Sequence, residues 1–122
     1  MALQMTTHSV TDTRIVKCNG RIALGDESAD FTNKVKELLT ECKQIVLDLG
    51  GVTYIDSIGL GVLVGLLISA QKDGGDIKLA NLQPRLIDVL GVTKLMTVFE
   101  TFDRAEDAVR SFNPGVGEAK AS

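Results

Sequence analysis

One segment near the middle of the chain contains residue types that could do chemistry. Asp56-Ser57 is followed by Gly59 and Gly61, and an uncharged apolar run extends from Ile58 to Ile68. A serine at the start of a helix can act simply as an N-cap, because its hydroxyl accepts hydrogen bonds from the first-turn N–H groups. It can also be a phosphorylation site, since the helix dipole tolerates an anion at that end. This segment alone leaves both interpretations open.

A phosphate on Ser57 would change the surface more than the fold. It would add about two negative charges beside the Asp56 carboxylate, and it would project toward any docked protein. We therefore expect a phosphorylated domain to keep its structure and to lose complementarity with a partner.

Gly59 and Gly61 fall in the first turns of the predicted helix, where a glycine costs about 1 kcal/mol relative to alanine. We therefore expect a neighbouring strand, a phosphate or a partner protein to approach this backbone closely. The helix is apolar on all sides for two turns, so the side turned away from a sheet must meet either neighbouring helices or a partner.

The elements that position this segment alternate along the chain. Two opening strands are predicted at about 3–8 and 14–24, followed by an amphipathic helix and an apolar strand that Gly50-Gly51 is expected to break. The next helix is predicted from about Ser57 to Lys72, and a strand follows at 76–80. Gly91 is predicted to cap the third helix, and Thr97–Thr101 to form the last strand before a final helix.

This order predicts an α/β fold with a mixed β-sheet of four to five strands packed with four to five α-helices. Alternating strands and helices give parallel pairs joined by right-handed crossovers, and the two opening strands add an antiparallel edge. We predict one domain over residues 1–112 and a flexible C-terminal tail over 113–122, after Asn113-Pro114-Gly115.

Composition excludes several classes of protein. The chain has 122 residues, 44% of them hydrophobic, and a net charge of -3, which is typical of a globular domain and argues against nucleic-acid or anionic-membrane binding. No secretory signal opens the chain, and the longest uncharged apolar run has 11 residues, against the ~20 that span a bilayer. We expect a cytoplasmic protein with no membrane partner. Cys18 and Cys42 are expected to be small core residues.

Enzymatic alternatives find little support in the residue types. His8 is the only histidine, and Ser57 lacks the G-x-S-x-G elbow of a hydrolase nucleophile. Asp48 and Asp56 both fall near the carboxyl ends of strands, where they could form an aspartyl-phosphate or metal site, or could simply be a solvated carboxylate and a cap. No dinucleotide or phosphate-loop fingerprint is present. We expect neither an enzyme nor a bound cofactor.

The central segment resembles a known family. Ile45–Leu49 followed by Asp56-Ser57-Ile58-Gly59-Leu60-Gly61-Val62-Leu63 is similar to the pattern of the STAS domain, an apolar strand with Asp, a short loop and D-S-x-G-L-G-x-L. The similarity is strongest to stand-alone anti-sigma factor antagonists. Gly74-Gly75 with its strand, and Pro84–Gly91 with Leu95, resemble later parts of the family, so about residues 12–112 are covered.

This resemblance implies a phosphorylation switch. Ser57 would be phosphorylated by a serine-protein kinase that is itself the anti-sigma factor, and a PP2C-type phosphatase would reset it. The unphosphorylated protein would bind the kinase and free a sigma factor; ATP would belong to the kinase. We expect a monomer or weak dimer. The implied partner-binding residues are Asp56, Ser57, Ile58, Gly59, Leu60, Gly61 and Asp26.

One departure from the family pattern bears on the partner. Where the family often has G-E-L-D, this chain has Gly20-Arg21-Ile22-Ala23, so the acidic contact is absent and Asp26 or Glu27 is the candidate substitute. Small STAS proteins also dock permanently on transporter ATPases or in stress-sensing complexes. The phosphorylatable hydroxyl of Ser57 favours the switch over permanent docking.

Overall fold

Strands and helices alternate along the chain after an opening pair of strands. The structure is a computed structural model that describes residues 3–23, 26–94 and 97–112, with the side chains of 26–28 outside this part. The elements are β1 (Gln4–Val10), β2 (Thr13–Ile22), α1 (Asp26–Glu41), β3 (Gln44–Ile55), α2 (Ser57–Lys72), β4 (Asp76–Ala80), α3 (Pro84–Val92), β5 (Thr101–Phe102) and α4 (Ala105–Phe112). The predicted order and fold class are confirmed. The predicted tail at 113–122 and Leu95 lie outside the described residues.

The five strands form one sheet in the order β1-β2-β3-β4-β5. β1 pairs antiparallel with β2, and each later neighbouring pair is parallel. Because successive right-handed crossovers step in one direction, their helices belong on one face of the sheet. The core is divided accordingly, since residues of α1, α2 and α3 share the larger cluster, whereas α4 packs in a smaller one on the other face.

The prediction that Gly50-Gly51 breaks the third strand is wrong. β3 continues through both glycines to Ile55, and its pairing with β2 shifts register between Lys17 and Asn19. A Cβ on Gly51 would lie 1.7 Å from the Asn19 side-chain oxygen. Glycine is therefore suited to this part of β3, where the register shifts and the Asn19 side chain lies close to the backbone. Glycine inside a strand often marks such a place.

Two further boundaries differ from the sequence prediction. The last strand begins at Thr101 rather than at Thr97, whose hydroxyl instead donates to the Lys94 carbonyl at 3.0 Å. Gly91 is not the cap of α3. The helix ends at Val92, and Thr93 is its C-cap, with its N–H donating to carbonyls of the last turn. Lys94 then takes the left-handed conformation at φ 64°.

Candidate phosphorylation and docking site

Asp56 is the single residue between the end of β3 and the start of α2. Its backbone N–H donates to the Ile22 carbonyl at 3.4 Å, which fixes the connection to the end of β2. Its side-chain Oδ1 accepts from the Gly59 N–H at 2.8 Å, the bond expected of a helix N-cap. Asp56 is thus the cap, and Ser57 is the first helical residue.

Gly59 is buried against the end of β2. A Cβ at this position would lie 2.2 Å from the Ile22 carbonyl oxygen and 2.8 Å from Cγ1 of Ile55. Neither neighbour can yield easily, because one is backbone and the other is held in the core. Of the three candidates for a close approach, the neighbouring strand is the one the structure places at Gly59.

Gly61 is different, although it lies only two residues further along α2. It is exposed, and among the described residues no atom outside the local helix comes within 4 Å of an added Cβ. Gly65, one turn later, is also exposed and open. The described part of the chain therefore provides no packing reason for glycine at these two positions.

Ser57 is exposed at the first turn of α2, and the adjacent Ile58 is 46% exposed. The side chain of Ser57 is thus open to another protein. The surplus apolar surface of α2 is only partly covered, because Ile68 is also exposed, at 57%. Three further apolar residues of the helix are half-buried against the larger core cluster: Leu60, Val62 and Val64.

A pair of side chains that sequence reasoning missed lies near the ends of β2 and β3, three residues before Ser57 in the case of Tyr54. Arg21 and Tyr54 are paired across β2 and β3, one residue before each strand ends, and the guanidinium lies 5.9 Å from the ring centroid. Tyr54 is 45% exposed. The sequence draws attention to Arg21, because this residue departs from the G-E-L-D pattern. Its contact with Tyr54 could not be predicted, because that contact depends on the register between β2 and β3. We use the name Ser57 surface for the exposed residues at the ends of β2 and β3 and the start of α2: Arg21, Tyr54, Ser57, Ile58 and Gly61.

The other predicted binding residues take different positions. Leu60 is half-buried, and Gly59 and the capping oxygen of Asp56 are engaged inside the domain. Asp26 is the first residue of α1, a few residues after β2 ends beside the site. The side chains of Asp26 and Glu27 lie outside the described part of the chain.

The fold does not bring His8 or Asp48 into an arrangement with Ser57 that would support another chemistry. His8 is opposite Ile15 on β2, seven residues before the strand end that meets Asp56, so it lies about 20 Å from Ser57 along the sheet. The Asp48 carboxylate accepts from the Gly50 N–H at 3.0 Å and from Nδ2 of Asn81 at 3.3 Å. Among the described residues, no group of three or more His, Cys, Asp or Glu side chains could hold a metal ion.

The two cysteines differ in burial. Cys18 is fully buried, and burial, with a smaller contribution from the Asp48 charge, raises the pKa of its thiol to about 12. A thiol with so high a pKa stays protonated and is a weak nucleophile. Cys42 is half-buried, and its Sγ donates to the Asp12 carbonyl at 2.9 Å.

None of the helices in the described ranges is long and apolar enough to cross a bilayer. The exposed candidate residues lie at one end of β2, β3 and α2.

Comparison with known proteins identifies the family. The anti-sigma-B factor antagonist of Bacillus subtilis is 35% identical over 77 residues, which are 63% of this chain and 71% of that protein. The crystal structure of tm1081 from Thermotoga maritima superposes with a TM-score of 0.81 at 27% identity, over 88% of this chain and 92% of that one. The Bacillus protein SpoIIAA in its phosphorylated form shares the fold, with a TM-score of 0.69 at 17% identity over 91% and 99% of the two chains. The profile of the STAS domain matches residues 4–108. The chain belongs to the STAS domain family.

Proposed function

We propose that this protein is an anti-sigma factor antagonist whose binding is switched by phosphorylation of Ser57. When Ser57 is unphosphorylated, the chain binds an anti-sigma factor that is also a serine-protein kinase, and a sigma factor is released. Phosphorylation ends the contact, and a PP2C-type phosphatase restores it in the cytoplasm. The observation that carries the proposal is the exposed Ser57 at the first turn of a helix whose cap is provided by another residue.

The local geometry explains why a phosphate would leave the fold intact. The Ser57 hydroxyl is not the cap, because Oδ1 of Asp56 already accepts from the Gly59 N–H. Esterifying Ser57 therefore removes no hydrogen bond that begins α2. The positive end of the helix dipole offsets part of the added charge. Because Ser57 is exposed, a phosphate on it stays hydrated.

The same geometry explains why a phosphate would end the contact. The Ser57 surface combines an exposed isoleucine, a half-exposed tyrosine and an open glycine. Aromatic and apolar anchors of this kind bind when water is excluded from them. A dianion on Ser57 would have to be desolvated on binding, and it would add to the charge of Asp56.

The relatives support the nature of the partner. The Bacillus subtilis relative is named an antagonist of anti-sigma-B factor, and SpoIIAA has a phosphorylated form. The Asp56–Gly61 segment and Asp26 are the residues we assign to the contact, with Gly59 and Asp56 acting through the position of α2. Arg21 occupies a position where the family pattern often has an acid, so we expect an acidic group opposite it on the partner.

Phosphate mapping tests the modification. The chain is incubated with ATP and each candidate anti-sigma factor kinase of its source cell, and phosphopeptides are located by mass spectrometry. We expect phosphate on Ser57 that is absent in Ser57→Ala. Ser69→Ala is the matched control, because Ser69 is exposed near the other end of the same helix. Phosphate that persists in Ser57→Ala, or no phosphate with any of these kinases, contradicts the proposal.

Binding measurements test the switch itself. Ser57→Asp should weaken binding of the phosphorylating kinase at least about tenfold, or 1.4 kcal/mol, whereas Ser69→Asp should leave it unchanged. Isothermal titration calorimetry gives both affinities. Equal affinity of the wild type, Ser57→Asp and Ser69→Asp would contradict the switch.

A further inference from the structure

The two edges of the sheet are very different. β5 has two residues, whereas β1 has seven and is paired on one side only among the described residues. About half of the backbone N–H and C=O groups of an edge strand point away from its neighbour and remain open to another strand. β1 therefore presents a long open edge at one end of the sheet.

β1 lacks the features by which natural proteins block strand pairing at an edge. Its sequence, Gln-Met-Thr-Thr-His-Ser-Val, contains no lysine, arginine, carboxylate or proline. The pairing with β2 runs without a register shift from Gln4↔Asn19 to Val10↔Thr13, so no bulge turns the edge away. Charge, proline and bulges are the usual protection, and their absence marks an edge that can accept a strand.

We propose that β1 is a self-association surface, on which β1 of a second copy of this chain pairs antiparallel around a two-fold axis. The full length of the strand is used when Thr7 lies on the axis. Thr6 of one copy is then opposite His8 of the other, and Gln4 is opposite Val10. Each pair places side chains on the same face of the sheet, because the side-chain period is two residues.

Charge and symmetry favour a second copy of this chain as the molecule that pairs with β1. A strand without lysine, arginine or carboxylate side chains gives no strong preference for an acidic or a basic partner. In this register His8 of each copy is opposite Thr6 of the other, so no like charges are opposed. Antiparallel pairing about a two-fold axis uses the same patch on both copies, which is the common form of a homodimer interface. The sheet of one copy would continue directly into that of the other.

This contact is expected to be weak. One strand pair buries less surface than the roughly 1,200–2,000 Å² of a stable interface, so we expect dissociation at about 10 µM or above. No residue of the Ser57 surface is part of β1, so a dimer would present two such surfaces. The inference therefore does not rest on the proposed function, and either could fail alone.

Sedimentation equilibrium on the full chain, up to about 1 mM, tests the proposal. We expect the mass to rise with concentration from 13.1 kDa toward twice that value. In Thr6→Glu/His8→Glu, like charges are opposed across the axis, and the dimer should weaken at least tenfold. Both positions are exposed, and the carboxylate introduced at position 6 would lie beside Lys17 of the same chain, so the monomer should keep its circular dichroism spectrum and melting temperature.

A charge-reversed mixture makes the test specific for this register. Thr6→Lys/His8→Lys should also be monomeric alone, but mixed with the glutamate variant it should form a heterodimer at least as strong as the wild-type dimer. Asn33→Glu/Ser69→Glu is the control, because both residues are exposed on helices and the charge change is the same. It should dimerise as the wild type does.

Three results would overturn the proposal. The wild type could remain monomeric up to 1 mM, the glutamate variant could dimerise unchanged, or the mixed variants could fail to associate. Amide hydrogen exchange adds a further check, because protection of β1 should increase with protein concentration. Protection that appears only when another protein is added would assign the edge to that protein and contradict self-association.

Discussion

The segment Asp56–Gly61 has two halves that face opposite ways. The Asp56 side chain and the Gly59 backbone face the domain, where one caps α2 and the other lies against the Ile22 carbonyl. Ser57 and Gly61 face solvent, and no packing neighbour in the described part of the chain explains the glycine. The same residue type, two positions apart, thus fixes the helix on the sheet in one case and leaves its backbone accessible in the other.

This difference teaches how a short motif can serve folding and binding together. Inward residues are limited by distances within the domain, so their substitution should be detected as lost stability. Outward residues have no such limit, so their substitution should leave stability unchanged or raise it. The following substitutions test this division.

Gly59→Ala should have the largest effect on stability. Its Cβ would lie 2.2 Å from the Ile22 carbonyl oxygen, so the first turn of α2 must move away from β2. We expect a loss of at least about 2 kcal/mol in the free energy of unfolding, despite the better helix propensity of alanine. Urea unfolding followed by circular dichroism measures it. An unchanged midpoint would show that Gly59 is no more constrained by packing than Gly61.

Asp56→Ala should be the next largest. It leaves the Gly59 N–H without the carboxylate oxygen that caps it at 2.8 Å, at a cost of about 1 kcal/mol. Asp56→Asn is the control, because its side-chain oxygen can accept the same bond. If both variants lost stability equally, the charge of Asp56 rather than its cap would be the stabilising contribution.

Gly61→Ala should change stability in the opposite direction. The Cβ meets open space, so the helix gains about 0.5–1 kcal/mol from the lower flexibility of alanine in the unfolded chain. Gly65→Ala, which is equally open, should give a similar gain. We expect only Gly61→Ala also to weaken kinase binding, because Gly61 lies one turn from Ser57. Equal affinity of both variants would place the contact elsewhere.

Ser57→Asp should have the smallest effect on stability. The substitution removes no described hydrogen bond, and an acid near a helix N-terminus interacts favourably with the dipole. We expect a change within about 0.5 kcal/mol in the free energy of unfolding, measured as for Gly59→Ala. A larger loss would show that Ser57 belongs to the inward half of the segment.

Much of the fold was predictable because local signals coincide with the elements. α2 runs from Ser57 to Lys72 as predicted, since an N-cap aspartate precedes it and Gly74-Gly75 follows it. The continuation of β3 through Gly50-Gly51 was not predictable in the same way. In the sequence a glycine pair indicates a turn. The structure shows instead that Asn19 of the neighbouring strand packs closely against Gly51.

The candidate site was predictable in part for the same reason. The exposure of Ser57 follows from its place at a helix start, and the sequence pattern alone indicates it. The roles of Gly59 and Gly61 could not be separated, because the distance to Ile22 depends on how α2 packs on β2. The pairing of Arg21 with Tyr54 likewise depends on register between distant strands.

The connection from β3 to α2 consists of Asp56 alone, and both its backbone and its side chain are hydrogen-bonded. A connection of one residue leaves little freedom for the backbone, so α2 cannot rotate relative to the sheet without breaking the hydrogen bond of its own N-cap. The backbone of Ser57 is consequently held at a constant position relative to the sheet. Because α2 keeps one position on the sheet, we expect a partner that distinguishes the two states of Ser57 to contact that residue directly.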